Sequence, residues 1–506
     1  MAASWRAVAD EMEAALVASA HSPNITERRD CSTAVFDAGG RMVVQAATIP
    51  VHLGAMPEAV AAVMARGVVP GDVWIVNDPY RGGTHLPDLT LVSPLYHDQL
   101  HVGFAVSRAH HADVGGMAPG SMPAGSRELV QEGLVLPPVR LVRAGAADPD
   151  VHAIILANSR TPDERDGDLR AQVACHRVAD ARVADLVARH GATLCVDALA
   201  ALLDYGERRT RAAIAGLPDG TYEAAEALEG DGVTGDALEI RVAVTVRGDA
   251  MEVSFDGTSP AGPGNMNCPL AVTRSAVYFV VRCVTDPDIP ASAGAFAPVT
   301  VTAPEGCLVN ARPPSAVAAG NVETSSRIVD AVFAALGGAL DVPAQGQGTM
   351  NNLTIGGPGF TYYETMAGGQ GASPGADGPS AVHVAMSNTL NTPVEMLESA
   401  FPLRVEAYRV RRGTGGAGIH RGGDGVERVI RALSDADASI ISERRAAGPR
   451  GAAGGGDGAP CENLLNGEPL PAKWRGALRA GDVITLRSPG GGGWGPPAPH
   501  APPPRV

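Results

Sequence analysis

Between residues 74 and 116 the chain carries two groups of titratable side chains. The first lies in Asp78-Pro79-Tyr80-Arg81-Gly82-Gly83-Thr84-His85-Leu86-Pro87-Asp88, the second in His110-His111-Ala112-Asp113-Val114-Gly115-Gly116. The apolar segment between them reads as two strands, 89–95 and 101–106, turning near His97-Asp98-Gln99. A hairpin of that length returns His110 towards His85 and Asp88. Imidazole and carboxylate converging on one point suit Zn, Mn or Fe, and the set is harder than a thiolate site. Two readings stand on spacing alone: a metal site, or polar residues paired within the fold. Three titratable groups in four residues, His110 to Asp113, are costly to bury without partners.

A second concentration of charge, Ile25-Thr26-Glu27-Arg28-Arg29-Asp30-Cys31-Ser32, directly precedes an apolar hairpin, 33–37 and 39–45. It is either an ion-paired start to the strand or a set of groups reaching an active site, and the charge density favours the second. After the His-His-Ala-Asp group, Gly115, Gly116, Gly120 and Pro123-Ala124-Gly125-Ser126 read as a mobile loop. No stretch fits a Gly-x-x-x-x-Gly-Lys-Ser/Thr loop, and no clean Gly-x-Gly-x-x-Gly joins strand to helix. The chain therefore shows no nucleotide site of its own.

The elements that position these groups follow from the periodicities. Helices are expected over 4–20, 56–65, 150–158, 167–190, 195–215 and 270–284. One more starts near Thr324 or Ser325, either of which would cap it, and runs to 336 with Asp330 facing solvent. Strands are expected at 73–76, 238–246, 251–255 and 299–303, then 403–411, 426–433, 438–442 and 483–487. The fold class is α+β, multidomain, with mixed and antiparallel sheets. An N-terminal α/β domain, 1–217, carries the candidate metal site. A middle α/β domain spans 218–400 and a β-rich C-terminal domain 401–496, with a disordered Pro-rich tail at 497–506.

The chain has 506 residues, 62 Gly, 40 Pro and 4% aromatics, which favours loops and tight turns over a helical bundle. A net charge of −15, without a basic stretch, argues against nucleic acid and anionic membrane as partners. Apolar runs fall short of a membrane span, and the N-terminus reads as an acidic amphipathic helix and not a signal sequence. Seven cysteines without a Cys-x-x-Cys are expected to be reduced thiols of a cytoplasmic protein.

Several stretches in order resemble the hydantoinase B/5-oxoprolinase subunit family, which includes subunits of acetone and acetophenone carboxylases and of caprolactamase. They include Ser22-Pro23-Asn24-Ile25-x-Glu27-Arg28-x-Asp30-x-Ser32, Asn77-Asp78-Pro79-Tyr80-x-Gly82-Gly83-Thr84-His85-Leu86-Pro87-Asp88 and the His110-to-Gly116 group. Gly167-Asp168-Leu169-x-Ala171-Gln172, Gly320-Asn321-Val322-Glu323-Thr324-Ser325, Tyr362-Tyr363-Glu364-Thr365 and Asn388-Thr389-x-Asn391-Thr392-Pro393 continue the set, which ends at the glycines 490–495. Together they run from about residue 8 to 496. The chain departs from the pattern in its Ala- and Gly-rich character and in being somewhat short.

The resemblance implies a large subunit working with a hydantoinase A-type ATPase, which phosphorylates the carbonyl oxygen of a small cyclic amide. It implies a divalent metal, Zn or Mn, on His85, Asp88 and His110, with Asp30 joining them. Glu27 or Asp113 would then serve as general base, and Arg28 would hold a phosphate or carboxylate. The loop 115–126 would close as a lid. The expected assembly is a hetero-oligomer that opens 5-oxoproline, hydantoin or lactam rings. The same motifs fit a ketone carboxylase subunit, where the metal would bind bicarbonate-derived CO2 or an enolate, and a non-catalytic scaffold subunit would keep the histidines as core polar residues.

Overall fold

A computed structural model describes residues 1–46 and 49–497; the tail expected to be disordered lies, from residue 498, outside the described residues. The architecture is α+β, built on four sheets.

The N-terminal part centres on a seven-stranded antiparallel sheet. Its order runs Met42–Ala46, Cys31–Asp37, Leu100–His110, Asp88–His97, Val73–Val76, Val139–Arg143, Ala146–Ala147. Its central strands are buried on both faces. Val35, Ala105 and Ala109 pack with Trp5, Met12 and Leu16 of the helix Ala2–Ser19 and with Cys175 and Ala179 of the helix Pro162–His190. Their neighbours Ala34, Phe36, Phe104 and Val106 pack on the opposite side with Met56, Val60 and Val63 of the helix Met56–Met64. Adjacent strand residues point to opposite faces, so burial on both sides replaces the polar alternation of a half-exposed sheet. Among the described residues no single helix is long and apolar enough to cross a membrane. A bent pair, Pro162–His190 and Ala192–Ile214, turning by 109°, passes by length and composition only; its inner face packs on this sheet's core.

The hairpin expected at 89–106 is present and longer, Asp88–His97 with Leu100–His110. Its register pairs Asp88 with His110. Cys31 pairs with Ala109 on the neighbouring strand, so Asp30, His110 and Asp88 end three adjacent strands side by side.

A four-stranded sheet follows, Val299–Thr302, Ala250–Ser254, Leu238–Arg247, Gly220–Leu228. One face is buried beneath the helices Leu270–Val284 and Ser325–Leu336, and the period-2 burial along Leu238–Arg247 reflects its wet other face. The start of the second helix differs from expectation. Gly320–Thr324 forms a π-helical turn, with no side-chain cap at Thr324. Asp330 is buried, with Arg444 Nη2 at 2.6 Å and Arg327 Nη1 at 3.5 Å; its charge is matched inside the protein and not by solvent.

The third sheet, Phe360–Glu364, Asn352–Gly357, Ala436–Ile441, Lys473–Leu478, pairs residues from both sides of position 400. A boundary at 401 therefore cuts through a sheet. The fourth runs Leu403–Arg411, Gly425–Ala432, Val483–Arg487, Glu462–Leu465, Glu468–Pro469. These two sheets share one apolar core. Strands within 352–364 and at 462–478 were not expected from sequence.

The glycine-rich segments are a packed unit. Gly369, Gly416, Gly422, Gly423 and the run 490–493 lie backbone against backbone, cross-linked by bonds such as Gly416 N to Gly491 O (2.8 Å) and Gly491 N to Gly423 O (2.8 Å). A Cβ on Gly491 would meet Gln370 O at 2.0 Å. All seven cysteines are free, and only Cys283 is exposed.

Candidate metal centre

His85 sits in the loop before the first hairpin strand, and contacts both local and distant in sequence fix it there. Asp88 N donates to His85 O at 3.1 Å. Asn77 Nδ2 donates to Leu86 O (2.8 Å) and Leu134 O (2.9 Å), and its Oδ1 accepts from Leu136 N (2.7 Å). Gly82, at φ +95°, lies so close to the helix Met56–Met64 that a Cβ would meet Ala59 N at 2.1 Å. Beside this loop, the cross-strand pairing of Asp88 with His110 brings the second group up to the first.

Three atoms converge. His85 Nε2 lies 3.1 Å from Asp88 Oδ1 and 3.2 Å from His110 Nδ1, and His110 Nδ1 lies 3.0 Å from the same Oδ1. All three residues are almost completely buried. Asp88 Oδ2 accepts from Thr84 Oγ1 and faces His52 Nε2 at 3.5 Å. Burial pushes the Asp88 carboxyl up, but His85, His110 and His52 outweigh it and hold the group well below the ordinary carboxylate range. Burial pushes His85 down, yet the Asp88 charge and hydrogen bond leave it raised; for His110 burial wins and the ring is lowered.

This set fits a divalent cation. With metal–donor bonds of about 2.0–2.1 Å, donors of a tetrahedral or octahedral shell stand roughly 2.8–3.4 Å apart, the range spanned here. Hydrogen bonding alone satisfies the triangle poorly: if both ring nitrogens donate to Asp88 Oδ1, two N–H groups are set against each other at 3.2 Å. The donors surround a cavity of about 20 Å³, room for about one water, lined also by Asp30, His52, Asn321, Met350, Tyr363 and Thr389. A larger cavity of about 760 Å³ shares Ser387 with it and carries Asp330, His383 and Arg450 on its walls.

The other sequence candidates fall differently. Asp30 lines the pocket and its backbone oxygen accepts from His110 N at 3.0 Å, but its carboxylate is outside the three-residue cluster. Arg28 is fully buried and committed to the protein, donating to Thr365 Oγ1 (2.7 Å) and Tyr363 O (3.2 Å), with Asp30 Oδ2 at 3.8 Å. It joins the N-terminal sheet to the third one and aligns Asp30, and it leaves little for a ligand phosphate. Glu27 is half-buried and not part of the pocket wall.

Asp113 is turned away from the pocket. Its carboxylate accepts from Gly115 N, Gly120 N and Arg160 N, each at 3.0 Å, and from Arg160 Nη1 at 2.9 Å. Those four donors occupy its lone pairs and leave none for a general base. They also pin the loop expected to be a lid, as does Ser121 Oγ on Val114 N; most of 115–126 is buried, so it is a strap and not a flap. His111, next to His110, points the other way, to Gln172 Oε1 at 2.9 Å, and burial pushes it down to about 3.

Three pocket residues had no functional role assigned from sequence. His52, with Nδ1 2.9 Å from Ser32 Oγ, was a lone histidine in an apolar segment. Asn321 Nδ2 lies 3.2 Å from His85 Nε2. Tyr363 stacks on His110 with ring centres 4.4 Å apart. Their motifs, Gly320-to-Ser325 and Tyr362-to-Thr365, were the only signal for the last two.

Known proteins resemble this chain over most of its length. It is 38% identical to an uncharacterised protein of Methanocaldococcus jannaschii over 97% of this chain and 88% of that protein. It is 34% identical to 5-oxoprolinase 1 of Arabidopsis thaliana over 96% of this chain, which spans only 41% of that longer enzyme. The crystal structure of the ATP-dependent caprolactamase from Pseudomonas jessenii superposes with a TM-score of 0.90 at 27% identity, covering 98% of this chain and 90% of that one. The hydantoinase B/oxoprolinase pattern itself matches residues 1–497, and the chain belongs to that family.

Proposed function

We propose that the chain is the hydantoinase B-type subunit of an ATP-dependent cyclic amide hydrolase, opening a 5-oxoproline, hydantoin or lactam ring. The observation that carries this reading is the buried His85–Asp88–His110 cluster, at 3.0–3.2 Å spacing, within a member of this family. A ring amide is a poor electrophile, and in this reading a hydantoinase A-type partner spends ATP to phosphorylate its oxygen. A divalent cation, Zn or Mn, held by His85, Asp88 and His110, supplies Lewis acidity that makes water a nucleophile near neutral pH.

The chain's own residues do the rest. Asp30 adds a carboxylate at the end of the same strand row. His52, rather than Glu27 or Asp113, lines the pocket and can hold a proton at Nε2 between Asp88 and the incoming water. Tyr363 and Met350, both buried, line the pocket, and apolar walls strengthen the charges beside them. The adjoining cavity of about 760 Å³ is of a size to hold a small ring. Overall, water adds to the activated carbon, the C–N bond breaks as the ring nitrogen takes a proton and leaves an acyl phosphate, and a second water releases phosphate from it to give the carboxylate.

The test is uncoupling. His110→Ala, combined with the ATPase partner, should still release phosphate or accumulate phosphorylated intermediate while ring opening falls by at least ~10³. Product and phosphate are followed together over a panel of lactams and hydantoins. Tightly coupled, near-normal ring opening by the variant would remove the hydrolytic step from this subunit.

A further inference from the structure

Asn321 is held against the cluster by a turn built for that purpose. The π-helical turn Gly320–Thr324 packs on the loop 265–267. Gly320 N donates to Asn265 O at 3.0 Å, and a Cβ on Gly320 would meet Asn267 O at 1.9 Å. Thr324 Oγ1 donates to Met266 O, and Ser325 Oγ donates to Asn321 O at 2.6 Å. Glu323, on the same turn, accepts from Met350 N (3.2 Å) and Asn352 Nδ2 (3.3 Å). Asn352 Oδ1 accepts from Tyr363 OH at 2.9 Å, and Tyr363 stacks on His110. Single π turns inside helices recur at functional sites. This one reaches both histidines of the cluster, directly through Asn321 and indirectly through Glu323.

Asn321 is 4% exposed and lines the small cavity. Its Nδ2 stands 3.2 Å from His85 Nε2, and its Oδ1 is buried without a partner. A ligating imidazole nitrogen has no free lone pair for an amide N–H. Rotation of the amide by about 180° exchanges its N and O at almost no cost in shape. With oxygen in that place, the 3.2 Å spacing to His85 Nε2 lies within the 3.0–3.2 Å range of the other donor spacings of the cluster.

We infer that Asn321 Oδ1 is a further oxygen donor of the metal centre, beside His85. The inference rests on the metal reading above. It turns a two-nitrogen, one-carboxylate set into one with a second, neutral oxygen, and explains why the turn is wedged so tightly behind a single amide.

The experiment uses the full chain, stripped with chelator and titrated with Mn(II), read by electron paramagnetic resonance and by chelator competition. Asn321→Ala should weaken Mn(II) binding by about tenfold or more and change the bound-ion spectrum. Asn321→Asp, which puts a carboxylate oxygen in the same place, should bind as tightly as the native chain or tighter. If Asn321 instead acts as an N–H donor to His85, both variants weaken and the assignment falls. It falls too if Asn321→Ala binds Mn(II) with native affinity and spectrum. Should the alanine variant fail to fold by circular dichroism, the aspartate variant decides alone: native or tighter binding supports the oxygen ligand, weaker binding overturns it. A native chain that takes up no metal refutes the metal reading, and Asn321 with it; native uptake with unaffected variants refutes Asn321 alone.

Discussion

Asp88→Asn probes the cluster at its hub with the least change of shape. Oδ1 faces two imidazoles at 3.0 and 3.1 Å, while Oδ2 takes the Thr84 hydroxyl and faces His52 at 3.5 Å. An amide oxygen can occupy one of these positions and not both, and in either orientation the negative charge is gone. Outer groups that merely orient metal ligands are worth about 10–100-fold in affinity, so losing a ligating carboxylate should cost at least the upper end of that range. The consequence for stability is large. At a free metal concentration near 100 times the native Kd, the native chain gains about 2.7 kcal/mol against unfolding, and a variant binding ~100-fold more weakly gains only ~0.4 kcal/mol. Denaturant titrations with and without Zn(II) or Mn(II), together with elemental analysis, read both quantities. If Asp88→Asn kept the native metal-dependent gain, the three converging atoms would not be a coordination shell, and the short spacings would be those of a buried hydrogen-bonded cluster.

Two further outcomes test the frame around the site. His176 lies between Ser93 Oγ (2.7 Å) and Ser107 Oγ (2.9 Å), and burial pushes it down to about 3. The folded state therefore prefers the neutral ring, so its contribution is present above the unfolded value near 6.5 and is lost as pH falls from there towards 3. Between pH 6.5 and 5 the native chain should lose about 2 kcal/mol more than His176→Asn in denaturant titrations, and equal losses would refute a buried neutral ring. Gly491→Ala places a methyl 2.0 Å from Gln370 O and should destabilise by at least ~2 kcal/mol, read as a lowered melting temperature. A neutral effect would show that the glycine bundle is loosely packed.

The sequence carried the hairpin because strand alternation, a short polar turn and flanking charge are all local signals. Once its register is known, the meeting of His110 with Asp88 follows. His52, Asn321 and Tyr363 were illegible because each reaches the pocket through tertiary packing, from segments whose own pattern is apolar or glycine-rich. Asp113 was misjudged for the converse reason: a carboxylate beside two histidines looks chemical until Arg160, 47 residues on, is seen to consume it. Asp330 illustrates the same blindness, since its partner Arg444 lies 114 residues away. Glycine composition misled most. A flexible loop and a bundle of backbones in contact need the same residue, one for freedom of φ and one for absence of a side chain, and only the second stabilises a fold. The distinction bears on the site itself. Its cavity is lined by Tyr363 from the third sheet and Asn321 from the π turn as well as by residues of the N-terminal strands. A cation there would tie these regions together, and its binding energy would appear as stability of their junction.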